Sequence, residues 1–353
     1  MSTIYDVAKG AGVSPSTVSR AFNSPGLISH ATHRNIMHIA ERLDYKPLRS
    51  RQRVARGATG SSSRSSLIGF HFFSGEDGDL LQANDFYGNM LAGALQEATE
   101  SGLQLVLSMS KRDASDPVVI PCFGDSPLES AILVGSANPS RIAQVAARAK
   151  RVVLVDARDD RDRWDSVLVD NIGGAEAATR HLIALGHTRI AFVLGHAADL
   201  AFQERFEGYL SAHRKANIAV SPDLVIRGTN YSGAPIDQIR SCLTADEPPT
   251  AIVTSNDHYA YWVYNVCHAL GISIPDDLSV VGFDDSPHCL LTLPPLTTIR
   301  VDTMQIGRIA VRRIAELIER ADSPDPRAVR IVLTVSLVER GSTGPPRKRS
   351  EIQ

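Results

Sequence analysis

A short segment near the N-terminus combines hydroxyl side chains with one arginine. From Ser14 to Arg20 the sequence reads SPSTVSR, in which a serine suited to capping a helix precedes Pro15. Hydroxyls and helix N-termini bond phosphates, and an arginine can pair with both acceptors of a guanine edge. The segment predicts a short helix with the chemistry to contact nucleic acid.

The distribution of charge supports this prediction. The 353 residues include 37 Lys and Arg against 39 Asp and Glu, a net charge of −2. Residues 1–60 hold nine basic and three acidic residues, a charge of +6, so the rest of the chain carries −8. This asymmetry indicates a small nucleic-acid-binding head on a larger acidic body.

The neighbouring segments complete a helix-turn-helix. In residues 4–11 apolar side chains recur at i, i+3, i+4 and i+7 behind the capping candidate Thr3, and Gly12 ends this helix. A third helix begins at Ser29 and buries one face against the first two. Residues 46–64 then contain six basic residues, no acid and a Gly/Ser-rich end, which predicts a linker.

Composition and patterning define the body. With 43% hydrophobic and 22% charged residues the chain is globular, and no apolar run is long enough to span a bilayer. Neither an export signal nor a metal-ligand spacing of the four cysteines is found, so we expect a cytoplasmic protein without metal. Apolar strand-like runs alternate with helical stretches from residue 67 onward, which predicts an α/β fold with two doubly wound parallel sheets.

These features together resemble the lactose/galactose repressor (LacI/GalR) family of bacterial transcription regulators. In the head, Ile4 to Ser14 and the TVSR segment at 17–20 carry the resemblance, followed by Tyr45-Lys46-Pro47 at the entry to the hinge. The body has further family motifs in order: VDN at 169–171, LGH at 185–187, RFEGY at 205–209, ND at 256–257, VVGFDD at 280–285 and PLTTI at 295–299.

The resemblance implies a domain organisation. We expect a DNA-binding head over 1–47, a hinge over 48–64, an effector-binding core over 65–341 and a disordered tail over 342–353. The core resembles periplasmic binding proteins, and its chain is expected to cross between two subdomains near 168, 298 and 329. The N-terminal subdomain then comprises 65–168 and 299–328, and the C-terminal subdomain comprises 169–298 and 329–341.

The resemblance also assigns roles in the head. Base reading falls to Pro15, Ser16 and Arg20, and Arg20 is expected to contribute most to specificity. Phosphate contact and positioning fall to seven hydroxyl and amide side chains: Thr3, Ser14, Thr17, Ser19, Asn23, Ser29 and Thr32. In the hinge, Val54 and Ala55 occupy the positions that enter the minor groove. Because many relatives have leucine where this chain has Val54, a shallower wedge is expected.

In the core, the resemblance implies an effector in the cleft between subdomains. The expected effector-binding side chains are Phe86, Tyr87, Arg205, Tyr231, Asn256 and Asp284. Arginine and carboxylate groups at strand ends suit a sugar or sugar derivative. For each of them a structural role stays open: a salt bridge between Arg205 and Asp284, a helix cap for Asn256, and core packing for the aromatic rings. His71, near the end of the first core strand, is a further candidate to face the cleft.

The expected function is therefore that of a regulator, most simply a repressor. Its partners are double-stranded DNA with a near-palindromic operator, a small carbohydrate-like effector and a second copy of the chain in a homodimer, in the cytoplasm at the nucleoid. The alternatives are a periplasmic-type solute-binding protein, an activator, and a regulator with a purine or nucleoside co-repressor. No catalytic motif such as GxSxG or HExxH occurs, so we expect neither an enzyme nor a cofactor.

Overall fold

The computed structural model describes residues 4–15, 17–18, 21, 29–43, 45, 67–74, 85–112, 128–196, 199–228, 235–320 and 327–347. Within these residues the chain divides into two compact units, Met1–Arg64 and Ser65–Gln353. The units are a small helical head and a larger α/β core, as the alternation of patterns predicts.

The head is built on two complete helices, α1 (Ile4–Ala11) and α2 (His30–Arg42). Residues 15, 17, 18 and 21 between them are also helical. A small core joins the three segments, with Val7, Val18 and Ile36 fully buried. Gly12 ends α1 with φ +66°, a backbone conformation that side chains other than glycine adopt only with strain. The predicted helix-turn-helix is confirmed.

The core contains two six-stranded sheets. The first sheet has the order β11-β5-β4-β3-β1-β2 and consists of six parallel strands. Their bounds are β1 Leu67–Ser74, β2 Gln104–Lys111, β3 Leu128–Val134, β4 Ala149–Val155, β5 Asp165–Val169 and β11 Arg330–Leu333. Helices α3 (Asp85–Ser101), α4 (Pro139–Ala146) and α9 (Thr303–Glu319) cover this sheet. We call this layered unit the N-lobe.

The second sheet has the order β12-β10-β9-β8-β6-β7, and only β12 is antiparallel to its neighbour. Its strands are β6 Ile190–Leu194, β7 Val225–Arg227, β8 Ala251–Thr254, β9 Ser279–Asp284, β10 Thr297–Arg300 and β12 Ser336–Val338. Its helices are α5 (Asn171–Ala184), α6 (Leu200–Lys215), α7 (Ile236–Leu243) and α8 (Asp257–Leu270). We call this unit the C-lobe. The prediction of two doubly wound sheets is confirmed.

Burial explains why these segments are strands. Residues of β5, β6 and β8 are buried on both faces, as expected when helices cover both sides of a parallel sheet. In β1, Phe70 and Phe72 pack toward α3 and α9, while Phe73 packs on the opposite face with residues of α4. The lobes therefore each have helices on both sides of a buried sheet.

The chain crosses between the lobes three times. The crossovers follow β5 at Asp170, β10 at 301–302 and β11 at 334–335. The third lies later than the predicted position near 329, because β11 pairs in parallel with β5 over Arg330 to Leu333 and so belongs to the N-lobe. The second likewise follows Arg300 rather than 298, because β10 pairs with β9 through that residue.

The predicted disorder of the tail is wrong for residues 342–347. Ser342 is fully buried, its hydroxyl donates to the carbonyl of Val280 at 2.6 Å, and it accepts from the amide of Thr297 at 2.8 Å. The amide of Gly344 donates to the Ser279 hydroxyl at 3.0 Å. The segment is ordered because it satisfies polar groups at the start of β9 and β10 that would otherwise be buried without partners. Residues 348–353 lie outside the described residues.

Candidate functional site in the head and the interlobe cleft

Two helix starts in the head present capped hydroxyl pairs. The amide of Thr17 donates to the Ser14 hydroxyl at 3.1 Å, and the two hydroxyls lie 2.8 Å apart. Ser29 and Thr32 repeat this arrangement, with distances of 3.1 Å and 2.7 Å. Ser14 and Ser29 are both exposed. Each pair therefore places an exposed hydroxyl beside a helix N-terminus, where free amide groups attract anions.

Several residues with predicted roles lie outside the described residues. Pro15, Ser14, Thr17, Ser29 and Thr32 are described, and Pro15 is the first helical residue after its cap. The predicted site residues that lie outside the described residues are Thr3, Ser16, Ser19, Arg20, Asn23, Val54, Ala55 and Tyr231. Their predicted roles stay predictions.

In the core, Arg205 on α6 lies at the centre of a buried polar cluster. Its Nε donates to Asn171 Oδ1 at 2.9 Å, and its Nη1 donates to the carbonyl of Ser255 at 2.5 Å. Nη1 also lies 3.1 Å from Oδ1 of Asp284, and the guanidinium carbon lies 3.8 Å from the centre of the Phe283 ring. The structure thus brings the predicted Arg205 and Asp284 together in the ion pair that the sequence left open.

Asp284 and its neighbour Asp285 have different surroundings. Asp284 ends β9 with φ +113°, and its buried Oδ1 is paired with Nη1 of Arg205. Both oxygens of Asp285 are taken, because Arg300 donates to Oδ2 at 2.6 Å and Arg340 to Oδ1 at 2.5 Å. Asp285 therefore joins β10 to the segment after β12, whereas Asp284 pairs with Arg205 and lines a cavity between the lobes.

The other predicted cleft residues divide between packing and lining. Asn256 caps α8, since its Oδ1 accepts from the amide of Tyr259 at 3.0 Å. Tyr87 is buried, stands edge-on to Phe72, and has its hydroxyl 3.5 Å from Asp156 Oδ2. Phe86 lines a cavity of about 100 Å³ together with Asp284 and residues of both lobes. Asn256 and Tyr87 thus have the structural roles that the sequence left open.

The prediction that His71 faces the cleft is wrong. His71 is fully buried, and its two ring nitrogens lie 2.8 Å and 2.9 Å from the hydroxyls of Ser108 and Ser110 on β2. Burial, with a smaller contribution from Arg141, lowers the pKa of His71 to about 4. The ring points into the packed face of the N-lobe because strand alternation places residue 71 on the same side as Phe73.

Sequence reasoning missed several charged residues of the cleft. Asp156 follows β4 directly, with φ +56°, and burial together with the carboxylates of Asp199, Asp284 and Glu204 raises its pKa well above the usual range. Burial likewise raises the pKa of Asp284, while Arg205 opposes the shift. The signal for Asp156 was available, because carboxyl ends of parallel strands line the ligand crevice in such folds.

Two ion pairs join the lobes across the cleft. Arg158, in the loop after β4 of the N-lobe, pairs with Glu204 on α6 of the C-lobe. Arg112, which follows β2, has its Nη1 3.7 Å from Oδ2 of Asp199, the N-cap of α6. The cleft is therefore a charged, largely self-paired surface at which α6 meets the N-lobe.

Comparison with known proteins shows what each part of the chain is similar to. The head matches the model for "Bacterial regulatory proteins, lacI family" over residues 3–47, and the core matches a periplasmic binding protein-like domain over residues 179–343. The head is therefore similar to that of lacI-family regulators, and the core to periplasmic binding proteins. The chain's resemblance to members of the lacI family extends over nearly the whole length, as relatives and solved structures show.

One relative is the HTH-type transcriptional regulator DegA of Bacillus subtilis (strain 168), 28% identical over 349 residues that cover 97% of this chain and 98% of DegA. A lac repressor dimer bound to operator and the anti-inducer ONPF has a TM-score of 0.66 at 26% identity, covering 97% of this chain and 99% of that one. The transcriptional regulator CelR in complex with cellobiose has a TM-score of 0.67 at 25% identity, covering 97% and 100%.

Among the described residues no group of three or more His, Cys, Asp or Glu side chains could hold a metal ion. Over that same part of the chain, no helix is long and apolar enough to cross a membrane. The three similar proteins are named as regulators or repressors rather than as enzymes.

Proposed function

We propose that the chain is a transcription repressor whose affinity for operator DNA is set by a small carbohydrate effector bound between the lobes. The observation that carries this proposal is the buried Arg205–Asp284 pair at the end of β9, on the same chain as a helix-turn-helix head. A regulator needs both parts, whereas a solute-binding protein for transport has no use for the head.

In the head, the capped hydroxyl pairs at Ser14 and Ser29 contact phosphates and fix the register on the duplex. Arg20, with Ser16 and Pro15, reads base edges in the major groove. Val54 and Ala55 enter the minor groove where the hinge meets DNA. Because two heads must reach adjacent half-sites, the chain acts as a homodimer on a near-palindromic operator.

In the core, Asp284 and Asp156 accept hydrogen bonds from effector hydroxyls, and Arg205 donates to an effector oxygen. Phe86 and Tyr231 supply apolar surface for a sugar ring. The CelR complex with cellobiose, a structure of similar fold, supports a carbohydrate as the class of effector. The protein works in the cytoplasm and at the nucleoid, where its DNA is.

Selection from a random duplex library with the full chain tests DNA reading directly. We expect enrichment of a near-palindromic sequence, bound with an affinity that falls steeply as salt increases, because phosphate neutralisation releases counterions. Arg20→Ala should lose about 1–3 kcal/mol of discrimination at one base pair of each half-site. Its core should melt at the wild-type temperature. Selection of no common sequence by the wild-type chain would refute the proposal.

A further inference from the structure

The lobes touch at a chain of polar contacts that ends on the effector-binding arginine. Glu204 on α6 pairs through Oε1 with Arg158 of the N-lobe and accepts through Oε2 from Asn171 Nδ2 at 3.0 Å. Asn171 Oδ1 accepts from Arg205 Nε at 2.9 Å. The contacts thus run from the N-lobe through Glu204 and Asn171 to Arg205.

Chemistry fixes the orientation of the Asn171 amide. A carboxylate can only accept hydrogen bonds, so Glu204 must face the amide nitrogen, and a guanidinium can only donate, so Arg205 must face the amide oxygen. Asn171 is 3% exposed, which leaves water little access to replace either partner. If Glu204 moves, the side chain that holds Arg205 Nε loses the partner that orients it.

The position of Asn171 in the chain connects this contact to the crossover between the lobes. It is the first residue of α5, directly after the crossover residue Asp170, whose side chain caps that helix. Helix α6 lies close against this same turn, since a Cβ on Gly208 would come 2.3 Å from the carbonyl oxygen of Ile172. A shift of α6 relative to the N-lobe would therefore displace the first turn of α5, next to the crossover between the lobes.

The ion pair of Glu204 favours contact between the lobes. The Glu204 side chain is 14% exposed, and it repels a charged Asp156 of the N-lobe, so the attraction between the lobes at this point comes from Arg158. Separating the lobes would break the pair with Arg158, whereas the contact with Asn171 would persist, because both of its residues belong to the C-lobe.

We propose that Arg158, Glu204 and Asn171 form a relay that couples closure of the lobes to the orientation of Arg205. They are positioning residues: they hold the group that meets the effector and do not meet it themselves. The relay rests on the proposed function for its regulatory meaning, because it explains how a ligand on Arg205 is sensed by the N-lobe. Coupling of this kind acts equally in both directions.

Hydrogen exchange of the effector-free full chain tests the relay from both ends. Arg158→Gln should raise exchange at the amides of Gly173 and Gly174, in the first turn of α5, by about three- to tenfold. Glu204→Gln should do the same, and the double variant should exchange no faster than either single one. Small-angle scattering should show a larger radius of gyration for all three. From the other end, Arg205→Lys should raise exchange in the loop over 156–164.

Arg163→Gln provides the matched control. Arg163 lies in the same loop and pairs with Asp159 at 2.7 Å, but both residues belong to the N-lobe. This variant should leave exchange at Gly173 and Gly174 and the radius of gyration unchanged. If Arg158→Gln behaves like Arg163→Gln, or if the effects of Arg158→Gln and Glu204→Gln add, the relay does not exist. Neither hydrogen exchange nor scattering uses DNA or effector. Failure of the relay in these experiments would therefore leave the proposed function intact, and a chain that does not bind DNA would leave the relay intact.

Discussion

The roles proposed for Arg205 and Asp284 rest on their contacts. Asn171 and Ser255 hold Arg205 in one orientation, and Nη1 of Arg205 lies 3.1 Å from the buried Oδ1 of Asp284. Both residues could be predicted from the sequence because they stand in recognisable motifs, Asp284 at the end of a strand. Glu204 and Arg158 could not, since they meet only after the lobes assemble and neither follows a periodic pattern.

Asp284→Asn should abolish the effector response at little cost in stability. Burial raises the pKa of this carboxyl, so removing its charge relieves desolvation while Arg205 keeps its contacts to Asn171 and Ser255. Melting temperature and operator affinity, with and without a stabilising sugar, measure both effects. Asp285→Asn is the control: it should lower stability, because Arg300 and Arg340 lose a charged partner, and keep the response. A normal response in Asp284→Asn would remove Asp284 from the site.

His71 makes stability depend on pH with a defined sign. The pKa of His71 is about 4 in the folded chain and 6.5 for a histidine exposed to water, so the unfolded state binds the proton more readily. The contribution of neutral His71 to the free energy of unfolding is complete above pH 6.5 and is lost as the pH falls toward 4. The free energy of unfolding, measured with urea across this pH range, should fall less steeply for His71→Gln than for wild type. His268→Gln, at an exposed position of α8, should keep the wild-type slope.

At the scale of elements, strands buried on both faces were the easiest to predict, because continuous apolar runs mark them. The edge strands β7 and β12 have three residues each, too few for any period to show. The tail over 342–353 is expected from the sequence to be disordered. It is held instead by Ser342, whose partners at the starts of β9 and β10 lie far away in sequence.

Helix α3 has one glycine that packs against α9 and one that does not, so the two give opposite expectations on one helix. A Cβ on Gly93 would lie 2.0 Å from the carbonyl oxygen of Met304, so Gly93→Ala should destabilise the chain by about 1–3 kcal/mol. Gly88, also on α3, has nothing within 4 Å of such a Cβ, and Gly88→Ala should stabilise by about 0.5–1 kcal/mol. Chemical denaturation measures both. Equal effects of the two substitutions would show that the helices do not pack this closely.

At the scale of the whole molecule, the near-zero net charge is the sum of a basic head and an acidic core. The family motifs predicted this division and the two-lobed core correctly. They placed two crossovers a few residues early, since strand pairing rather than sequence pattern decides where each strand ends. We propose that closure of the lobes joins the parts functionally, because α6 carries both Arg205, the proposed effector ligand, and the carboxylates that meet the N-lobe.

The most direct test of this account is the operator affinity of the full chain, measured by fluorescence anisotropy across a panel of neutral sugars whose binding is scored by melting temperature. We expect a sugar that raises the melting temperature to change operator affinity by roughly 5- to 150-fold, the usual range of allosteric coupling. In Asp284→Asn the same sugar should change neither the melting temperature nor the operator affinity. A sugar that binds the core of the wild-type chain in this cleft while leaving operator affinity unchanged would contradict the account.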